Sequence, residues 1–268
     1  MQEGFVRSEI KDGIATITFF HPQSNSMPGY QLRALADEVN KLGKDAAAKV
    51  IVLKSEGGNL PAGITAEGTK AVKAGAFCAG ASFDELISIK DITTGTTFFS
   101  GFAGVINAMR KAPKFVLVRV HGKAVGGGVG IACSGDYTFG ITGALVKLSE
   151  LAVGIGPFVV GPAVDRKIGR SAFAELTINA TEWRDAQWAK EKGMYNELHD
   201  TVEDMDKAID ALAKKLANSN PEAMAMLKKI MWEGTEHWDQ LLTERAGMSG
   251  KLVLSDFTVN AINKFKAK

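Results

Sequence analysis

The run Val50-Ile51-Val52-Leu53 is apolar without a break, and at strand length this pattern belongs to a β-strand covered on both faces. Such strands occur where parallel crossovers lay helices over a sheet, so the run directs the chain towards an α/β fold. The surrounding sequence agrees. Phe5–Ile10 and Ile14–Phe20, parted by Lys11-Asp12-Gly13, predict a hairpin, because Asp-Gly is a strong turn signal. Met27-Pro28 opens a helix whose apolar face is Leu32, Leu35, Val39 and Leu42. A glycine- and alanine-rich stretch from Glu56 to Ala76 has no period and is expected to be a long loop. Beyond it the patterns predict a helix from about Thr96 to Lys111, a strand at Phe115–Val120, and short strands at Tyr137–Gly140 and Ala144–Leu148. From Phe158 helical patterns dominate: Ser171–Ala180, Val202–Ala217, Pro221–Glu233 and a stretch ending in Phe265. The expected architecture is a parallel α/β core over residues 1–195 with a helical region over 196–268.

Composition excludes several function classes. With 46% apolar and 23% charged residues the chain has the make-up of a globular protein, not a disordered one. Its 32 basic and 30 acidic residues leave +2, which gives no general electrostatic reason to bind nucleic acid or an anionic membrane. Cys78 and Cys133 lack CxxC spacing, and the four histidines are scattered, so neither a disulfide framework nor a metal site is expected. The longest charge-free run, Ile92–Met109, contains Thr93, Thr94, Thr96, Thr97, Ser100 and three glycines, too polar to span a bilayer. The charged first dozen residues are followed by no apolar signal core, so the expected location is cytoplasmic.

Three segments carry candidate chemistry. In Ala76–Leu86 small residues would let a ligand approach the backbone, and Ser82-Phe83-Asp84-Glu85 begins a helical turn whose free N–H groups suit an anion. A tight turn packed with small side chains reads equally well. In His121–Ala132 a glycine-rich stretch follows a strand and enters an apolar helical pattern, yet fits neither GxGxxG nor GxxxxGK[ST]. It serves either as another set of outward N–H donors or as close helix–strand packing. In Leu148–Pro157 a lone Glu150 lies among apolar residues. It either points to solvent or is desolvated with a raised pKa, which suits acid–base work. No G-x-S-x-G elbow supports a nucleophilic serine.

Taken together in order and spacing, AFCAGA and HGKAVGGGVGIACSGDY resemble the crotonase (enoyl-CoA hydratase/isomerase) family over nearly the whole chain. The resemblance implies a crotonase-like spiral of ββα turns and a C-terminal helical region, 196–268, that makes trimer contacts, with trimers often paired as hexamers. It implies no permanently bound cofactor and a substrate carried as a coenzyme A thioester. An enolate would be held in an oxyanion hole formed by the N–H groups of Ala81 and Gly127, with Glu150 as acid and base. Ala79, Ala81, Ser82, Phe83, Asp84, Gly126 and Gly127 would contact substrate.

Departures from the family pattern sharpen the reading. Hydratases usually carry a second glutamate three positions after the middle glycine, where this chain has Gly130. A single glutamate suffices to move one proton between carbons, which leans towards double-bond isomerisation. Hydration, with a branched or carboxylated substrate included, thioester hydrolysis and a non-catalytic binding role are the alternatives. Ser149 stands where proline is frequent, and Ser82 where aspartate is. Gln23-Ser24 precede Asn25 in place of a basic residue, so Lys264 or Lys266 from a neighbouring subunit is expected to meet the CoA phosphates. Residues 58–73 form an extra length expected to extend into solvent. Phe83, Phe98, Phe102 and Phe158 are expected to shape the acyl pocket.

Overall fold

The computed structural model describes residues 4–57 and 75–266, so the expected loop at 58–73 lies outside the described residues. In chain order the strands are β1 (Phe5–Lys11), β2 (Ile14–Phe20), β3 (Val50–Ser55), β4 (Ala76–Cys78), β5 (Val116–Val120), β6 (Lys123–Val125), β7 (Tyr137–Ile141), β8 (Leu145–Lys147), β9 (Arg184–Asp185) and β10 (Glu197–His199). The helices are α1 (Gly29–Lys44), α2 (Phe83–Ser88), α3 (Ile92–Lys111), α4 (Gly127–Cys133), α5 (Gly161–Ile178), α6 (Ala186–Glu191), α7 (Val202–Ala217), α8 (Pro221–Met231), α9 (Trp238–Leu252) and α10 (Asp256–Lys266).

The larger sheet runs β1-β2-β3-β5-β7-β10. Only the β1–β2 hairpin is antiparallel; every later pairing is parallel, with Ile17 beside Leu53 and Leu53 beside Val118. Val50 through Leu53 are all buried, as their unbroken apolar pattern requires. Helix α1 packs on β1, β2 and α3, and α7 lies along β2, β3, β5, β7 and β10. The sheet therefore takes its last strand and one of its covering helices from beyond residue 195.

A second, smaller sheet has the order β4-β6-β8-β9. Its strands are three residues long or fewer, with β4, β6 and β8 mutually parallel and β9 antiparallel to β8. Strands this short lie below the usual five or six residues, which is why β4 and β6 carry no alternating pattern.

Two helices begin earlier than periodicity suggests. Asp91 caps α3 by accepting from the Thr94 N–H at 2.8 Å, so the helix starts one turn before Thr96. Helix α5 starts at Gly161 and is interrupted at Gly169, whose φ of 81° breaks the apolar period and leaves only its second half legible.

Trp232, Trp238 and Leu242 are buried in this chain's own core. Helix α9 crosses α3 so closely that a Cβ on Gly95 would meet the backbone of Gly250 at 2.8 Å. Asp136, between α4 and β7, ties α8 to the sheet. Its carboxylate accepts from the Trp232 indole and the Val116 N–H, each at 2.7 Å, and pairs with the Lys228 ammonium at 2.8 Å. Lys228 also donates to the carbonyls of Met109 and Lys114, and both charged side chains are 2% exposed. Removing one member of such a pair strands the other charge. Lys228→Met is therefore expected to cost ~3–5 kcal/mol of stability, read from urea midpoints, and Asp136→Asn in the same chain should restore part of it.

Candidate active site

The small sheet gathers the three segments. Strands β4, β6 and β8 run parallel, and each ends at one of them: Ala79-Gly80-Ala81, Gly126-Gly127 and Leu148-Ser149-Glu150. Ligand groups collect at such carboxyl ends because adjacent loops emerge there side by side. The Met27–Ala81 bridge uses the neighbours of Ala81: the Met27 N–H donates to Gly80 O at 2.8 Å, and Ser82 N–H donates to Met27 O at 3.2 Å. Gly127 opens α4, so its N–H has no helical acceptor. Among the described residues neither the Ala81 nor the Gly127 N–H has an acceptor. Adjacent strands stand ~4.8 Å apart, a separation at which two N–H groups can reach a single oxygen. The two turns touch, since a Cβ on Gly80 would lie 3.5 Å from Gly127 N.

Glu150 enters from β8. Its carbonyl accepts from Val153 N–H at 3.2 Å and Ile155 N–H at 2.9 Å, which anchors a 3-10 turn at Leu151–Val153. The residue is half-buried, because one side faces a cavity, yet its Oε2 is closed to solvent and has no hydrogen-bond partner. Burial raises its pKa from the ordinary 4.5 to about 7. The backbone of Gly126 lies against this carboxylate: a Cβ there would stand 2.8 Å from Oε1, and its φ of 52° with ψ of −118° is a conformation side chains rarely adopt.

The cavity measures about 60 Å³ and is walled mainly by Phe83, Leu86, Phe99, Phe102, Ile155, Phe158 and Val160. Glu150 is the only titratable side chain lining it among the described residues. A Cβ on Gly130 would run into Val160, so the place facing that glycine is occupied by an isopropyl group. A half-open groove of about 650 Å³, lined by Gln23, Ser24, Asp84, Lys147 and Trp183, shares Ala79, Ala81, Phe83, Ser149 and Val153 with the cavity.

A sequence profile described as enoyl-CoA hydratase/isomerase matches residues 9–260. The chain belongs to that family. A crystal structure of an enoyl-CoA hydratase from Bacillus halodurans has the same fold, with a TM-score of 0.83 over 97% of this chain and 99% of that one at 16% identity. A probable enoyl-CoA hydratase of Bacillus subtilis (strain 168) is 25% identical over 221 residues, 82% of this chain and 78% of the relative. The mitochondrial methylglutaconyl-CoA hydratase of Mus musculus is 28% identical over 217 residues. That match takes in 79% of this chain but 63% of the relative, so the chain spans less than two thirds of its length.

In this enoyl-CoA hydratase/isomerase family member, Ala79, Ala81, Phe83, Gly126, Gly127 and Glu150 all line the cavity, while Asp84 lines the outer groove and accepts from the Gln23 amide at 2.6 Å. Ser82 turns away: it is buried, and its hydroxyl caps α2 through the Glu85 N–H. Phe102 and Phe158 face the cavity as expected, but Phe98 sits in the core and Phe99 takes its place. Lys264 is exposed on α10, and the Lys266 side chain lies outside the described residues. Pattern reading missed Val160 and Ser249. The second reaches the cavity only because α9 packs on α3, and no local signal marks it. No cluster of three or more metal-ligating side chains occurs among the described residues, and no described helix is long and apolar enough to cross a membrane.

Because the folded-state pKa of Glu150 is raised, its ionisation opposes folding. The penalty is absent below pH 4.5, grows above it and is complete beyond about pH 7. Glu150→Gln should therefore match the wild type in urea midpoint near pH 4.5 and exceed it at pH 8, by up to ~3 kcal/mol. Equal differences at the two pH values would mean that the carboxylate is not desolvated.

Proposed function

We propose that this chain is a double-bond isomerase of enoyl-CoA thioesters. The observation that supports it is the single carboxylate in an apolar cavity, with Val160 packed where a second one would reach from position 130. The thioester carbonyl accepts hydrogen bonds from Ala81 and Gly127. Glu150 removes a proton from the α-carbon of a 3-enoyl ester, and the electron pair delocalises onto the carbonyl oxygen as a dienolate. The protonated Glu150 then delivers the same proton to the γ-carbon, and the double bond moves to the α,β position. A pKa of about 7 suits both halves of this cycle, because one group must accept and release a proton near neutrality. Each oxyanion donor supports the dienolate by ~2.7–4 kcal/mol, on the scale of other oxyanion holes.

The outer groove accommodates the CoA arm. Self-association in trimers or hexamers is supported by Met226, Leu227, Ile230 and Met231, which form an exposed apolar row on α8. Hydration is the second reading, favoured by the names of the relatives.

Incubation with 3-butenoyl-CoA and with crotonyl-CoA in deuterated water, followed by ultraviolet absorbance of the conjugated thioester and by mass analysis, separates the readings. Isomerisation converts the first ester to the second and adds no water to either. Water addition to crotonyl-CoA would replace the proposal with a hydratase, and release of free CoA with a hydrolase. Glu150→Gln should lower turnover by at least ~10²-fold, and wild-type kcat/KM should fall tenfold per pH unit below about pH 7 as the base becomes protonated.

A further inference from the structure

Three compartments lie in a row. The outer groove meets the cavity at Ala81 and Phe83, and Glu150 and Gly127 line the cavity beyond. At its far side the cavity shares Pro157 and Phe158 with a third compartment of about 580 Å³, whose walls include Phe173, Leu241, Arg166 and Arg245. The middle compartment is small. Its 60 Å³ is less than half of the ~150 Å³ apolar cavity known to admit benzene, so it holds an acyl segment of only a few carbons. Phe158 lines both this cavity and the third compartment and so stands between them.

We infer that Phe158 is the end wall that sets acyl-chain length, restricting this chain to short acyl-CoA esters and closing off the larger compartment behind it. The inference rests on the acyl-CoA reading above. The ring is held by its surroundings rather than by chance rotamer choice. The Phe158 N–H donates to Gly156 O at 2.7 Å, a Cβ on Gly156 would collide with the ring, and buried Val159 and Val160 follow it. Shortening the side chain opens a path towards Phe173 and Leu241, apolar surface on which additional methylenes are buried.

The test uses binding of saturated esters, which need no turnover. Butyryl-CoA and decanoyl-CoA are titrated calorimetrically into wild type, Phe158→Ala and Phe158→Leu. The wild type is expected to favour butyryl-CoA, and Phe158→Ala to shift the decanoyl-to-butyryl affinity ratio at least ~10-fold towards decanoyl. Phe158→Leu should give a smaller shift in the same direction and carries the test if the alanine variant does not fold. A ratio unchanged in the folded variants, or a wild type that binds decanoyl-CoA as tightly as butyryl-CoA, overturns the end-wall assignment alone. Failure of the wild type to bind butyryl-CoA would overturn the acyl-CoA reading and the end wall with it. A length shift in a protein that does not isomerise would leave the end wall standing and refute the reaction.

Discussion

The parallel pairing of β4, β6 and β8 is the interaction on which the rest of the site depends. Each strand is three residues long, too short to hold itself by ladder hydrogen bonds, so the pairing persists because the surrounding core presses the strands together. Phe77, Cys78, Ala124 and Val146 are buried completely, and no side chain in this group can grow without separating the strands. With the strands in place, the turns after them emerge at the strand spacing of ~4.8 Å. That spacing brings the Ala81 and Gly127 N–H groups to one side of the cavity and Glu150 to the next position. A one-residue slip in any of the three strands would turn these groups away from one another.

The same crowding sets the electrostatics. The apolar walls deny Glu150 Oε2 a partner, and the raised pKa follows from that lack of solvation, because no neighbouring charge is needed to produce it. Gly126 is required where the carboxylate touches backbone, and Val160 occupies the space that Gly130 leaves open. Gly130 and Val160 are thus complementary: the isopropyl group fills the place that a side chain at position 130 would take, and Glu150 is left as the only carboxylate lining the cavity among the described residues. Unsatisfied N–H groups and a desolvated carboxylate are unfavourable in the free protein, and burial of the apolar core supplies the stability that tolerates them.

The C-terminal helices support the cavity from behind. Helix α9 adds Ser249 to the cavity wall through its crossing with α3. Helix α10 packs on the 3-10 turn that follows Glu150, where a Cβ on Gly154 would meet Phe257 and Thr258. Helix α8 is fastened to the sheet by Lys228. The segment beyond residue 195 therefore bears on the position of Glu150 within this chain, whatever further contacts its exposed apolar row makes.

Local pattern was enough for much of the fold. The unbroken apolar run at Val50–Leu53, the Asp-Gly turn and the 3.6-residue spacing in α1 and α7 depend on neighbours within a few positions, and most of the larger sheet and its helices follow from them, whereas β10 falls in a region expected to be helical. The two glycine-rich segments and Glu150 were likewise visible, because few other residue types let a ligand approach backbone and a lone carboxylate among apolar residues is conspicuous. Their relation was not. Strands of three residues carry no period, so the small sheet existed only as two apparent loops and one short strand until long-range pairing joined them. Whether Glu150 met solvent or an apolar wall, whether Phe98 or Phe99 faced the cavity, and what filled the space opposite Gly130 were all decided by residues distant in sequence. Burial and desolvation are properties of a packed environment and not of a side chain, so the chemical types were set by the sequence and their strengths by tertiary structure.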